Sequence, residues 1–312
     1  MTEKPDSQEN LERSIRPVSA SFVVVGANRS ALYAASWLKK AGASIVGAPS
    51  IKEGAALKKT PLALLVAGDA IKDCQIKGID IPVIFFWDFE VGQSGIGAFA
   101  SAVSGVSSVI GKTESAPGIL PVHMPEKWTG IFGASLALGL LFSQPNVKTE
   151  KPARIDVSAA DILRAFAEQN SGNHAGVPYG WRRNGLTAVE HGGVFPQGFF
   201  RCKDGYVAVQ ARSRQDWAAI LSAFNNPVWS EDKSMQNPFK LSEDDSYVLP
   251  HFQAELDKRN MKDLLEAALE SGAPMAPVLS SLEAISSKVF RDGFVEASGE
   301  LNLPFIIRRN SK

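Results

Sequence analysis

The chain has 312 residues with 33 basic and 33 acidic side chains, so its formal net charge is zero. This balance provides no overall field for attracting nucleic acid or an anionic membrane, and neither is expected as a partner. The longest apolar run, Ile131–Phe142, is shorter than the roughly 20 residues that cross a bilayer. A chain of this length has room for about two domains.

Cysteine and histidine positions argue against disulfides and metal binding. Cys74 and Cys202 lie far apart and outside any CxxC pattern, which predicts reduced thiols in a cytoplasmic protein. The histidines lack the HxxxH and HExxH spacings, so no metal site is expected. Residues 1–19 are polar with mixed charges, which predicts a disordered leader rather than a signal peptide.

Strands and helices alternate along the first part of the chain. A helix is predicted over Ser30–Lys40, with Leu32, Ala35 and Leu38 on one side. Short apolar runs predict strands at Phe22–Val25, Ser44–Val46, Pro61–Ala67 and Ile81–Trp87. Alternation at this spacing is typical of an α/β fold with a parallel sheet.

The loop after the first strand has the position of a phosphate-binding loop but little of its sequence. Of the glycines in a GxGxxG fingerprint only Gly26 is present, and no acidic residue ends the second strand to bind a ribose. NAD binding is therefore not favoured. A loop that leads into a helix N-terminus and faces a phosphate-bearing ligand is the better interpretation.

A glycine-rich stretch, Gly92–Gly105, follows the apolar run Ile81–Phe89. We expect it to be a loop at the end of a strand, where α/β enzymes often hold their substrates. It contains no Asp, Glu, His, Cys, Lys or Arg. The helix predicted after it has small residues where another helix can approach closely, namely Gly130, Gly133, Ala134 and Ala137.

The second part of the chain begins after a Gly-, Asn- and Pro-rich segment, Ser171–Gly193. A β-hairpin with Asp204-Gly205 at its turn is predicted next. Helices are predicted over Arg214–Phe224 and, as one continuous element, Glu255–Gly272. Trp217, Phe224 and Trp229 are interpreted as core residues.

Several of these segments together resemble the class III CoA-transferase family. They are RIDVSAAD, FPQGFFRCKDGYVAVQARSRQDWAAIL, NPVWSED and SGAPMAPVLSSLEAI, in this order. The family includes carnitine and bile-acid CoA-transferases, formyl-CoA transferase and α-methylacyl-CoA racemases. The chain is similar to a shortened member, because the segment between its second and third strands is short and the usual C-terminal helix is missing.

The resemblance implies a Rossmann-like large domain over residues 20–190 and a smaller α+β domain over residues 191–285. Residues 286–312 would return to the large domain. It also implies an interlinked dimer of two ring-shaped chains, with the CoA site between large and small domains of different subunits. The implied ligand is CoA or acyl-CoA as a substrate, with no permanently bound cofactor.

Transferases of this family use one aspartate, whose carboxylate attacks the acyl-CoA thioester and forms a mixed anhydride. The matching stretch in this chain is Gly95–Gly105, and Gly97 stands in place of the aspartate. Two nearby carboxylates are weak substitutes. A buried, paired carboxylate is the simpler interpretation of Asp88, and a carboxylate that favours a helix N-terminus is the preferred interpretation of Glu126.

Two further groups are candidates for ligand contact by the same resemblance. Asn28, Arg29 and Ser30 match the part of the family that lines the CoA cleft. Residues 191–193, namely His191, Gly192 and Gly193, match a glycine-rich flap over the active site, although a simple linker explains them as well.

Three functions follow from these observations. The first is a subunit without the nucleophile that pairs, as a heterodimer, with a full-length, aspartate-bearing relative. The second is an active transferase or racemase, in a homodimer or alone, that uses another carboxylate. The third is a non-enzymatic protein that binds CoA or acyl-CoA.

Overall fold

The computed structural model describes residues 18–71, 76–112, 114–142, 154–169, 183 and 193–286. They form two compact units. The first contains residues 18–71, 76–110, 117–142 and 154–169, and the second contains residues 111–112, 114–116, 183 and 193–286. The predicted leader up to residue 17, the domain boundary at 190 and the return of the chain beyond residue 286 lie outside the described residues.

The first unit is built on a five-stranded parallel sheet of order β2-β1-β3-β4-β5. Its strands are β1 (Ser21–Val25), β2 (Ser44–Ala48), β3 (Ala63–Ala67), β4 (Val83–Trp87) and β5 (Arg154–Ser158). Every residue of β3 and β4 is buried, as expected for central strands covered on both faces. The α/β fold and its parallel sheet are confirmed.

Helices cover both faces of this sheet. Its helices are α1 (Arg29–Lys40), α2 (Ile51–Ala55), α3 (Gly97–Val103), α4 (Met124–Gly139) and α5 (Ala159–Gln169). On one face, α1 and α4 pack over side chains that include Phe22, Leu65 and Phe86. On the other face, Ile51 of α2 packs with the opposite set of strand side chains.

Of the three residues predicted to share one side of helix α1, Leu38 is buried and Ala35 packs against the core, but Leu32 does not. The buried residues of this helix are Ser30, Ala31, Ala34 and Leu38, whereas Leu32 is 52% exposed. The helix packs closely against α4, whose small residues meet it, and that contact selects alanine rather than leucine for the interface. The close approach predicted from the small residues of α4 is confirmed.

The stretch Gly92–Gly105 is not wholly a loop, because α3 forms within it. Three alanines between Gly97 and Val103 favour a helix. Ile96 at its N-cap provides no side-chain acceptor. A tertiary contact replaces that cap, since the Gly97 N–H donates to the carboxylate of Glu126 on α4.

The second unit contains a three-stranded antiparallel sheet of order β6-β7-β8. Its strands are β6 (Gln197–Arg201), β7 (Tyr206–Gln210) and β8 (Met275–Pro277), so the predicted hairpin turn at Asp204-Gly205 is confirmed. Its helices are α6 (Arg214–Ala223), α7 (Pro238–Leu241), α8 (Val248–Asp257), α9 (Met261–Ser271) and α10 (Ser281–Ser286).

An aromatic cluster centred on Phe252 forms the core of the second unit. Its ring lies 5.0 Å from Phe200, 5.5 Å from Phe195, 5.5 Å from Phe224 and 6.2 Å from Trp217, measured between ring centroids. Trp217 and Phe224 are buried and Trp229 packs against this core, as predicted.

The single helix predicted over Glu255–Gly272 is two helices, α8 and α9. The chain leaves the helical conformation at Asn260, which is extended. The first N–H of α9, from Met261, donates to Asp204 at the hairpin turn at 2.8 Å. The acceptor belongs to a residue more than fifty positions away, and the local signal for the break is Asn260, a residue type that is common at helix N-caps.

Candidate functional site

Polar side chains meet at the carboxyl edge of the parallel sheet, where the strand order reverses between β1 and β3. Open α/β sheets bind their ligands at such switch points. Asn28 Nδ2 donates to Asp69 Oδ1 at 2.6 Å and to the Phe86 carbonyl at 2.8 Å. Its Oδ1 accepts from the Ala31 N–H at 3.0 Å, which caps α1. The buried Asn28 amide therefore links the ends of three strands and one helix.

Asp88 occupies the N-terminus of α1. Its carboxylate accepts from the backbone N–H groups of Arg29 and Ser30, each at 3.0 Å, and from the Ser30 hydroxyl at 2.6 Å. A carboxylate is favourable there because the free N–H groups and the helix dipole attract negative charge. The helix terminus that was expected to face a phosphate thus holds a carboxylate of the same chain.

The three residues predicted to bind CoA lie together at this edge but differ in the exposure of their side chains. The side chains of Asn28 and Ser30 are buried and take part in internal hydrogen bonds. Arg29 is exposed. A ligand that approaches the first strand–helix loop therefore meets the Arg29 side chain, and CoA contact by this group stays a prediction.

Asp69 belongs to the same cluster and was not singled out from the sequence. Burial raises the pKa of its carboxyl; the hydrogen bond from Asn28 lowers that pKa, and the negative charge of Asp88 raises it further. An acidic residue directly after a buried strand was the available signal. Recognising it required knowing that β3 lies beside β1.

Gly97 and Glu126 form a second pair of predicted site residues in contact. Glu126, in the first turn of α4, is 2% exposed, and its Oε1 accepts from the Gly97 N–H at 2.9 Å. The His123 Nδ1 lies 3.7 Å from the same oxygen. Asp88 and Glu126 therefore belong to separate hydrogen-bonding groups.

The Glu126 carboxyl group fills the space next to the Gly97 α-carbon. A Cβ atom at position 97 would lie 2.7 Å from the Glu126 carboxyl carbon and 2.8 Å from Pro125 Cβ, and still closer to Glu126 Oε2. That oxygen is buried and has no hydrogen-bond partner among the described residues. The Glu126 carboxyl group thus occupies the space that the Cβ of a side chain at position 97 would take.

Of the predicted flap, His191 and Gly192 lie outside the described residues. Gly193 has a positive φ of 74°, which favours glycine, and its carbonyl accepts from the Ser242 hydroxyl. Its role in covering a ligand stays a prediction.

The described part of the chain shows neither a metal-binding group of side chains nor a membrane-spanning helix. No group of three or more His, Cys, Asp or Glu side chains in it is arranged to hold a metal ion. None of the helices found there is both long and apolar enough to cross a membrane.

Comparison with known proteins identifies relatives of this chain. It is 27% identical over 229 residues to mouse succinyl-CoA:glutarate CoA-transferase, covering 69% of this chain and 48% of the mouse protein. The human protein of the same name is 24% identical over 238 residues, covering 70% of this chain and 50% of the human protein. The chain thus spans about half the length of these relatives.

A solved structure and a family model also match this chain. A CAIB/BAIF family protein from Brucella suis matches with a TM-score of 0.71 at 13% identity, covering 94% of this chain and 93% of the other, which supports the fold. The model for CoA-transferase family III matches residues 90–298, more than half of the chain. The chain therefore belongs to CoA-transferase family III.

Proposed function

We propose that this chain is a class III CoA-transferase subunit without the aspartate nucleophile. It pairs with an aspartate-bearing relative in an interlinked dimer, and the pair transfers CoA between an acyl-CoA and a carboxylic acid. The single observation that carries this proposal is the contact between Gly97 and Glu126. At position 97, which the family resemblance assigns to the nucleophile, the Glu126 carboxyl group fills the space that a side chain would enter.

The surrounding carboxylates support the same conclusion. A nucleophile must reach the thioester carbon, and both substitute carboxylates are buried. Asp88 accepts three hydrogen bonds at the start of α1, and such bonds stabilise a carboxylate where it is. Arg29, in contrast, is exposed at the carboxyl edge of the parallel sheet and can form an ion pair with a CoA phosphate. This sheet edge therefore combines an exposed cation with two candidate carboxylates, Asp88 and Glu126, that are not accessible.

Co-expression tests the pairing. The chain is produced with a full-length family III relative from the same genome that carries aspartate at the position of Gly97, and only one of the two is tagged. Stable co-purification with transferase activity that depends on the relative's aspartate is expected. A stable homodimer of this chain that transfers CoA by itself would contradict the proposal. A cytoplasmic location is part of the same proposal.

A second candidate function, an active enzyme that uses Glu126, is favoured by one observation. Glu126 Oε2 is buried without a hydrogen-bond partner among the described residues, an arrangement that is costly unless another group meets it. The test is incubation with succinyl-CoA followed by hydroxylamine and mass spectrometry. This candidate requires a hydroxamate at Glu126 that is absent from Glu126→Gln. An unmodified protein without turnover rules it out.

A further inference from the structure

A cleft of about 560 Å³ opens at one end of the small antiparallel sheet. It lies where β6 begins, β7 ends and β8 begins, entirely within the second unit. Its volume falls in the range of about 300–1,000 Å³ that is usual for small-molecule sites. Its lining includes Phe199, Ala208, Gln210 and Arg212.

Most of the cleft lining is apolar. Phe199 is 70% exposed, although it stands at the centre of β6, directly opposite Ala208 on β7. An aromatic ring beside a small residue leaves a flat apolar surface to which the hydrocarbon part of a ligand can bind. Each methylene group that such a surface removes from water strengthens binding.

Among the residues that the structure describes, Arg212 is the only charged one that lines this cleft. Its guanidinium makes no hydrogen bond or ion pair with any residue that the structure describes. The nearby Asp216 carboxylate accepts from the Arg212 backbone N–H at 2.8 Å and not from its side chain. The cleft therefore has one positive group whose five N–H donors are available to an anion.

We propose that this cleft binds a carboxylic acid with an apolar body. The Arg212 guanidinium matches the two oxygens of a carboxylate, and the wall formed by Phe199 and Ala208 takes the hydrocarbon portion. The Gln210 amide, which also lines the cleft, offers a further donor. This inference rests on the cleft alone and does not depend on whether the chain pairs with a catalytic relative.

The charge of the lining selects a carboxylate over CoA itself. CoA carries several negative charges on its phosphates, and a single arginine neutralises only one charge. A monoanion leaves no charge unpaired in the cleft, which favours it over a polyanion. Carboxylic acids are also the acceptors that the proposed transferase reaction uses.

The experiment is calorimetric titration of the purified full-length chain with hexanoate, with hexanol as the uncharged analogue. Hexanoate is expected to bind and hexanol to bind at least tenfold more weakly, because a hydrogen bond to a charged group contributes enough for about a tenfold change in affinity. Arg212→Gln is expected to lower hexanoate affinity about tenfold. Phe199→Ala is expected to lower the affinity for both ligands.

Arg214→Gln is the matched control, since it removes the same charge two residues away, outside the cleft lining, and should leave the affinity unchanged. Circular dichroism verifies that each variant is folded, and Arg212→Lys, which keeps the charge, replaces Arg212→Gln if the latter is unfolded. An intermediate affinity is expected for the lysine variant. The proposal is overturned by equal binding of hexanol, by equal weakening in Arg214→Gln, by Arg212-dependent binding of CoA without hexanoate binding, or by no binding at all.

Discussion

At the scale of single residues, the contact between Gly97 and Glu126 explains why two positions constrain each other. The Glu126 carboxyl group lies where a Cβ at position 97 would be placed, and its Oε1 accepts from the Gly97 N–H. Any side chain at position 97 must displace this buried carboxyl group. An aspartate at position 97 would therefore have to displace the Glu126 carboxyl group as well.

A double-mutant cycle measures this coupling. Gly97→Ala is expected to destabilise the chain by about 1–3 kcal/mol, as overpacking of a filled site does. In a Glu126→Ala background the same change is expected to cost less, since the carboxyl group is gone and only the contact with Pro125 Cβ remains. Urea denaturation gives the four free energies of unfolding. Gly139→Ala, where a Cβ would meet nothing within 4 Å, should combine additively with Glu126→Ala. Additivity for Gly97→Ala as well would show that the two residues do not constrain each other.

Asp69 gives a pH-dependent prediction at the same scale. Burial and the nearby Asp88 raise its pKa above the usual 3.8 in the folded chain. The folded state then binds the proton more tightly than the unfolded state, so the stability that Asp69 contributes is present below pH 3.8 and is lost as the pH rises through the raised pKa. Asp69→Asn keeps an oxygen to accept from Asn28 and removes this loss. Its stability relative to the wild type should therefore increase between acidic and neutral pH.

Urea denaturation across this pH range checks the prediction. Asp80→Asn, at an exposed position outside the cluster, serves as the control and should show a smaller change. A constant difference between Asp69→Asn and the wild type would contradict the raised pKa.

At the scale of elements, the sequence predicted the strands well because buried parallel strands are short apolar runs that need no partner to be recognised. It failed where an element depends on a distant residue. Helix α3 is capped by Glu126, the first N–H of α9 donates to Asp204, and both contacts come from residues distant in sequence. Asp69 was missed for the same reason, because only the pairing of β1 with β3 brings it to Asn28.

The close contact between α1 and α4 predicts that a side chain at Gly130 destabilises the chain. A Cβ at Gly130 would lie 2.6 Å from Tyr33 Cβ and 2.8 Å from the Ser30 carbonyl oxygen. Because backbone atoms cannot move aside cheaply, Gly130→Ala is expected to cost about 1–3 kcal/mol in unfolding free energy. Gly139→Ala on the same helix meets no atom and is expected to be neutral or stabilising by up to about 1 kcal/mol. Equal effects of the two substitutions would show that the helices are not closely packed at Gly130.

At the scale of the whole molecule, each compact unit contains its own hydrophobic core. In the second unit, the buried core residues that the structure describes lie between Val194 and Met275. A domain with its own core is able to fold by itself, whereas a segment that depends on the other unit is not. The isolated segment of residues 193–286 is therefore expected to unfold in one cooperative transition, measured by near-ultraviolet circular dichroism during urea denaturation.

A substitution at Phe252 tests whether that core stabilises the second unit. Phe252→Ala removes a fully buried ring that contacts four aromatic neighbours, and a loss of about 3–5 kcal/mol is expected, enough to abolish the transition of the isolated segment. Phe199→Ala deletes the same type of side chain from the exposed face of the small antiparallel sheet and should leave the transition nearly unchanged. If the unsubstituted segment has no cooperative transition, its stability comes from the rest of the chain, and hexanoate binding must then be sought only in the full-length protein.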